Sequence, residues 1–157
     1  MEFVNIEGMP DTQTVQKMLR IHEQIFRDSE NLLNKARSKP NLLFTLALEN
    51  DEVTGYKIGY KLDDATFYSW LGGVGEAYRG RGIASGLMRH QHHFLVEKGY
   101  SVVRTKTMNK WRSMLILNLK QGFDITGICA DKNGEIKIIL EKRLYPMSVQ
   151  MEGAYEN

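Results

Sequence analysis

Apolar positions along this chain switch period several times, and each switch marks an element. Phe3 to Ile6 reads as a short strand. From Pro10-Asp11 onward, Val15, Met18, Leu19, His22 and Phe26 recur at helical spacing. "SENLLNKARSK" is a second, shorter helix with Ser29 as its expected N-cap, closed by Pro40-Asn41. "LLFTLALEN" is a strand that turns at Asn50-Asp51. "VTGYKIGYKL" alternates, with Tyr56, Ile58, Tyr60 and Leu62 on one face. After the Asp63-Asp64 turn, the aromatic and β-branched "ATFYSWLGGV" is a further strand. A bulge or a close backbone approach is expected at Gly72-Gly73.

Gly82 to Lys98 carries Ile83, Ala84, Leu87, Met88, Phe94 and Leu95 on one helical face, and Gly99 closes it. "YSVVRTKTM" is a strand, in which Arg104 and Lys106 are expected to face solvent near a sheet edge. "KWRSMLILNLKQ" is a helix ending at Gly122, and "FDITGICA" and "EIKIILEKRL" pair around the turn from Asp131 to Gly134. Strands and helices interspersed in this order imply an α/β (mixed α+β) fold: one central mixed sheet of six to seven strands flanked by about four helices. Residues 1–145 read as a single domain and 146–157 as a polar tail.

Composition narrows the function. A chain of 157 residues is long enough for one well-packed domain. A net charge of +2, from 21 basic and 19 acidic residues, argues against a dedicated nucleic-acid binder. One cysteine, Cys129, excludes an intrachain disulfide, and its position in a strand suggests a buried packing thiol. "MEFVNIEGMP" lacks the pattern of a secretory signal, and the run from Leu42 to Leu48 is far too short to span a bilayer. A cytoplasmic protein is the expectation.

The densest chemistry is "YRGRGIASGL", Tyr78 to Leu87. A helix start leaves backbone N–H groups unpaired and carries positive potential. Glycines let the backbone approach a ligand, and Arg79 and Arg81 supply forked donors for phosphate oxygens. Together they make an anion cradle suited to a pyrophosphate. It is not a phosphate loop of the Gly-Lys-Ser/Thr kind, which occurs nowhere in the chain. Nor does it fit a dinucleotide fingerprint: Ser85 replaces the third glycine, and Glu97 falls inside the helix rather than at a strand end.

Arg79-Gly80-Arg81-Gly82-Ile83-Ala84 resembles the R/Q-x-x-G-x-G/A loop of the GNAT superfamily of acyl-CoA-dependent N-acyltransferases. "WLGGV" resembles its fourth strand, and "TMNKW…LKQGF" its fifth strand and following helix. The element order matches from Phe3 to about Leu144. The resemblance implies acetyl-CoA as co-substrate, no metal, and direct transfer of an acetyl group to a primary amine of a small molecule or peptide. It implies that Gly73 and Val74 bond the pantetheine arm, that Arg79, Gly80, Arg81, Gly82, Ile83, Ala84 and Ser85 hold the pyrophosphate, and that Asn109 bonds the arm where two strands splay. A homodimer through an exposed strand edge or the C-terminal hairpin is an open option.

Two positions depart from the pattern. Where many members carry a thiolate-protonating tyrosine, this chain has Asn118, whose amide donates a hydrogen bond but gives up no proton near neutral pH. It is either a polariser of carbonyl or sulfur or a satisfied core amide. Where some members carry a basic glutamate, this chain has Tyr68; Glu76 is another candidate, or a residue that orients the loop. A water chain, or an amine arriving neutral, remains as the alternative base. A non-catalytic acyl-CoA-binding or regulatory module on the same fold is the rival reading. His90 and His93 sit on one helix flank and read as solvated rather than as metal ligands. The aromatic strip Tyr56, Tyr60, Phe67, Tyr68 and Trp70 reads as core, with one or two rings lining an acceptor cleft.

Overall fold

The computed structural model describes residues 1–145. The expected polar tail lies outside the described residues. Seven strands form one sheet: β1 (Glu2–Glu7), β2 (Leu43–Glu49), β3 (Glu52–Lys61), β4 (Thr66–Val74), β5 (Val102–Thr107), β6 (Asp124–Ala130) and β7 (Ile136–Arg143), in the order β1-β2-β3-β4-β5-β7-β6. Four helices, α1 (Thr12–Phe26), α2 (Ser29–Ala36), α3 (Ile83–Glu97) and α4 (Arg112–Lys120), complete the mixed α/β architecture that the periodicities imply. No helix among the described residues is long and apolar enough to cross a membrane.

Only β4 and β5 run parallel; every other neighbouring pair is antiparallel. Helix α3 makes that crossover. Its C-terminus is closed by Gly99 at φ +91, with Gly99 N–H donating to Val96 and Tyr100 N–H to Leu95, which satisfies two orphan carbonyls. On one face of the sheet, Met18, Ile21, Leu32 and Ala36 of α1 and α2 pack on Phe44, Leu46, Tyr56 and Ile58. On the other, α3 places Ile83 and Leu87 against Ala47, and Met88 and Leu95 join Phe67, Val103, Phe123, Ile138 and Leu140. Strands β2 to β4 are thus clothed on both faces. The α1/α2 layer reaches only as far as β4, so β5, β7 and β6 keep one face open.

Several local expectations change. Ser29 is the first helical residue of α2, not its cap; Asp28 holds the cap position, and Ser29 donates through N–H and Oγ to Glu23 instead. The bulge in β4 falls at Trp70, where Ile58 pairs Leu71 and Gly59 pairs Ser69; at Gly73 the other expected feature, a close approach, is what the structure has, since a Cβ there would run into Ile25. Leu62 lies past the end of β3 and is exposed. Strand β5 is internal, so Arg104 is not near an edge; its guanidinium pairs with Glu141 on β7 at 2.8 Å. Cys129 is half-buried rather than core, because β6 is the edge strand. Trp111 caps α4 instead of lying inside it. The buried face of α3 carries Gln91 and His92, whereas Ala84 and Phe94 are only half-buried.

Candidate active site

The parallel pair sets the site. Residues Thr66 to Ser69 of β4 pair with Val102 to Thr105 of β5, and there the pairing ends. Thr105 Oγ1 donates to the Ser69 carbonyl at 2.8 Å at this last rung. Beyond it β5 continues against β7, while β4 runs on from Trp70 to Val74 paired with β3 alone. The bulge at Trp70 starts the divergence. The result is a fork with one unpaired β4 edge, and Gly73 and Val74 lie on that edge.

The free edge leads straight to the glycine-rich loop. After Val74, a short 3-10 turn (Glu76–Tyr78) brings the chain to Gly80 and Gly82, both left-handed at φ +78 and +77. Only glycine holds that conformation without strain. Helix α3 begins at Ile83 with Gly82 as N-cap and no side-chain cap. Its first N–H groups, Ile83 to Ser85, therefore open onto the loop. Helix α1 shows the contrast: Asp11 Oδ1 accepts from Thr14 N–H at 2.8 Å and closes its start. One helix start is closed by its own side chain; the other is not.

The arginines are already engaged. Arg79 Nε donates to the Val74 carbonyl at 3.3 Å. Arg81 forks onto both oxygens of Glu49 at 2.9 and 3.1 Å, which lowers the Glu49 carboxyl and raises the guanidinium. The Ser85 hydroxyl accepts from Arg89 at 2.7 Å and from Gln121 at 2.8 Å. That second bond ties the first turn of α3 to the end of α4 across the mouth of the fork. Glu49, Arg89 and Gln121 lie far apart in sequence from the loop or outside its motif, so pattern reading could not collect them.

The two faces of the fork differ. On the α1/α2 side, Tyr68 and Trp70 meet Tyr60 edge-on, with ring centroids 5.4 and 5.8 Å apart, and Lys39 Nζ stands 4.7 Å over the Tyr60 ring. Tyr60, Tyr68 and Trp70 are half-buried, whereas Tyr56 and Phe67 are core. The aromatic strip therefore splits. Burial first, with lesser effects of Tyr60 and Cys129, pushes the Tyr68 phenol up to about 12. It is a hydrogen-bond donor at neutral pH rather than a base. Behind these rings, Tyr56 bonds His22 Nδ1, and His22 Nε2 bonds Asp28. Because an ionised carboxylate only accepts, His22 donates from Nε2 and accepts the Tyr56 hydroxyl at Nδ1. This chain pins the α1–α2 corner to β3. Phe26, at the end of α1, packs on Trp111 with centroids 5.7 Å apart.

On the α3/α4 side, Asn118 is 3% exposed and its amide has no hydrogen-bond partner among the described residues. It is not the satisfied core amide that sequence allowed as one reading. Asn109 follows β5 in an exposed turn. Glu76 is exposed beside the loop, at the opposite end of β4 from the point where the strands part. His90 stacks on Phe3 and His93 pairs with Glu97; no cluster of metal-binding side chains occurs among the described residues.

The fold is shared with known structures. The chain is similar to Ard1 from Thermoplasma volcanium, at 18% identity over 93% of this chain and 100% of that one, with a TM-score of 0.76. It is similar to a GNAT family acetyltransferase from Elizabethkingia anophelis with acetyl-CoA bound, at 21% identity over 90% and 98%, TM-score 0.71. It is also similar to the ribosomal-protein-S18-alanine N-acetyltransferase from Escherichia coli, at 14% identity over 91% and 96%, TM-score 0.72. No curated protein matches the sequence. The profile of the acetyltransferase (GNAT) family matches residues 11–115, about two-thirds of the chain. This chain belongs to the GNAT family of acetyltransferases.

Proposed function

We propose that this acetyltransferase moves the acetyl group of acetyl-CoA to a primary amine by direct attack. The observation that carries the reading is the fork. The free β4 edge from Trp70 to Val74 offers backbone groups to an extended pantetheine arm, which would add to the sheet as a strand does. In this reading Gly73 and Val74 bond the arm, and Asn109 closes on it from the β5 side. The amides from Arg79 through Gly80, Arg81, Gly82, Ile83 and Ala84 to Ser85 take the pyrophosphate at the uncapped end of α3. The thioester then lies toward the last rung, Ser69 and Thr105.

The acceptor comes over the open face, past Tyr68 and Trp70. The aromatic rings hold the amine beside the fork, as they hold the Lys39 ammonium. Tyr68 donates a hydrogen bond and orients the reacting groups; its raised pKa keeps it from serving as the base. Glu76 stands roughly 20 Å of extended chain beyond Trp70, beside the phosphates, and so orients the loop. The unpartnered Asn118 amide polarises the carbonyl or the sulfur. The amine proton leaves to water.

The test is to mix the protein with acetyl-CoA and a panel of amines and follow free thiol. Turnover with at least one amine is expected. CoA binding without turnover across the panel would favour a non-catalytic acyl-CoA module.

A further inference from the structure

On the α3 side of the sheet, several buried polar groups lack the partners that burial demands. Gln91 is fully buried, and neither its side-chain nitrogen nor its oxygen has a partner among the described residues. Its neighbour His92 is 6% exposed; Nδ1 lies 3.3 Å from Lys142 Nζ of β7, and Nε2 is unpartnered. Lys57 of β3 is half-buried as a residue, and no carboxylate pairs with it among the described residues. Its ammonium lies deep enough that burial alone pushes it down to about 8. Burial lowers Lys142 as well, and burial followed by Lys142 and Lys57 holds His92 well below the usual histidine range.

Where these groups sit matters more than their titration. Lys57 and Lys142 belong to β3 and β7, with β4 and β5 between them, yet both act on His92. What lies between them is the fork. Lys57 stands opposite Gly72 on β4, and its Cγ is 3.3 Å from where a Gly72 Cβ would be. Because Gly72 has no side chain, the lysine stem leans against β4 there, on the strand whose far edge is unpaired. Two lysines thus bear on one histidine, with no acid among the groups that act on them. Buried donors without acceptors are not explained by the fold itself.

We propose that the α3 side of the fork receives the sulfur of CoA and that Lys57 is the acid that protonates the departing thiolate. The inference rests on the acetyl-transfer reading and supplies the proton donor that Asn118 cannot be. The amine nitrogen bonds to the thioester carbonyl carbon. The C–S bond breaks and its electron pair goes to sulfur. The Lys57 ammonium gives its proton to that sulfur, so the products are amide and free thiol. The amine loses its proton to water, and Lys57 is reprotonated from solvent.

The test uses the full chain, CoA and acetyl-CoA. The thiol of bound CoA is titrated by thiolate absorbance in the wild type, Lys57→Met and Lys57→Arg. Wild type should hold the bound thiol below the pKa of free CoA, Lys57→Arg should retain that depression, and Lys57→Met should abolish it. In turnover, Lys57→Met should lower kcat on the order of a hundredfold and lose the fall in kcat above about pH 8. Lys57→Arg should leave kcat low, since a guanidinium does not give up its proton. Methionine is near in volume, and a melting temperature at or above wild type verifies the fold. A folded Lys57→Met with unchanged kcat and pH profile overturns the assignment while leaving acetyl transfer intact. Failure of CoA to bind the wild type overturns the acetyl-transfer reading, and this proposal with it.

Discussion

The two faces of the sheet differ in chemistry at the point where β4 and β5 separate. The α1/α2 face offers half-buried aromatic rings, Tyr60, Tyr68 and Trp70, on a surface that, among the described residues, the α1/α2 layer covers only as far as β4. The α3/α4 face is covered, polar and basic, with Lys57, Gln91, His92 and Asn118 among its buried or half-buried groups. Aromatic faces suit an apolar or cationic group; buried donors suit an anion or a developing thiolate. In the proposed transfer reaction the single sheet separates the two substrates, with the fork as the passage between them.

Changes on the cofactor side should therefore act on CoA or on the rate, and changes on the aromatic side on the acceptor. The largest effect is expected at Gly82. Valine there forces a β-branched residue into φ +77, although a Cβ would meet open space. CoA affinity by calorimetry should fall by roughly a hundredfold, about 2.7 kcal/mol. A pantetheine thioester lacking the nucleotide should bind mutant and wild type alike. Undiminished CoA affinity in a folded variant would remove the loop from the site.

Asn118→Ala should lower kcat by about tenfold to a hundredfold, with acetyl-CoA affinity nearly unchanged. Normal turnover would reduce Asn118 to a packing amide. Next, Trp70→Ala should raise the amine KM by roughly tenfold and leave the acetyl-CoA KM alone, on the scale of one lost aromatic contact. Equal effects on both substrates would break the division between the faces.

A smaller effect concerns stability. The folded-state pKa of Lys57 is lowered, to about 8 from an ordinary 10.5. Below pH 8 the lysine is charged in both folded and unfolded chains, and the folded chain bears the burial penalty. Between about pH 8 and 10.5 the unfolded chain binds more protons, so the contribution to stability rises with pH. Lys57→Met should thus melt a few degrees higher than wild type at pH 7, and the advantage should shrink through that window. A constant difference at all pH values would contradict the buried-ammonium account. The smallest effect is expected for Glu49→Gln, which frees Arg81 and should change CoA affinity only a few-fold, since the pair is exposed.

Much of this was legible along the chain because the signals were local. The loop declares itself by Gly80, Gly82 and the arginines. Helix α3 declares itself by apolar spacing and its closing glycine, and the final hairpin by its turn, where Asp131 accepts from Asn133 and Glu135 N–H. Lys57 was not legible. Between Tyr56 and Ile58 in an alternating strand, a lysine reads as a solvated position. That reading fails because α3 packs on the opposite face of β3, so both faces are covered. Gln91 and His92 were hidden for a similar reason: polar residues within a histidine-rich stretch look like a wet flank, yet they occupy the centre of the buried face of α3.

The sequence by itself determined the order and type of the elements, the glycine positions that require left-handed backbone, and the glycine-capped start of α3. Each depends on residues within a turn or two of one another. Tertiary structure alone decided where β4 leaves β5, which side of each strand is covered, and that Glu49 meets Arg81 and Gln121 meets Ser85 across more than thirty residues. Such pairings follow from strand order, and strand order is set by how the whole apolar surface is buried at once.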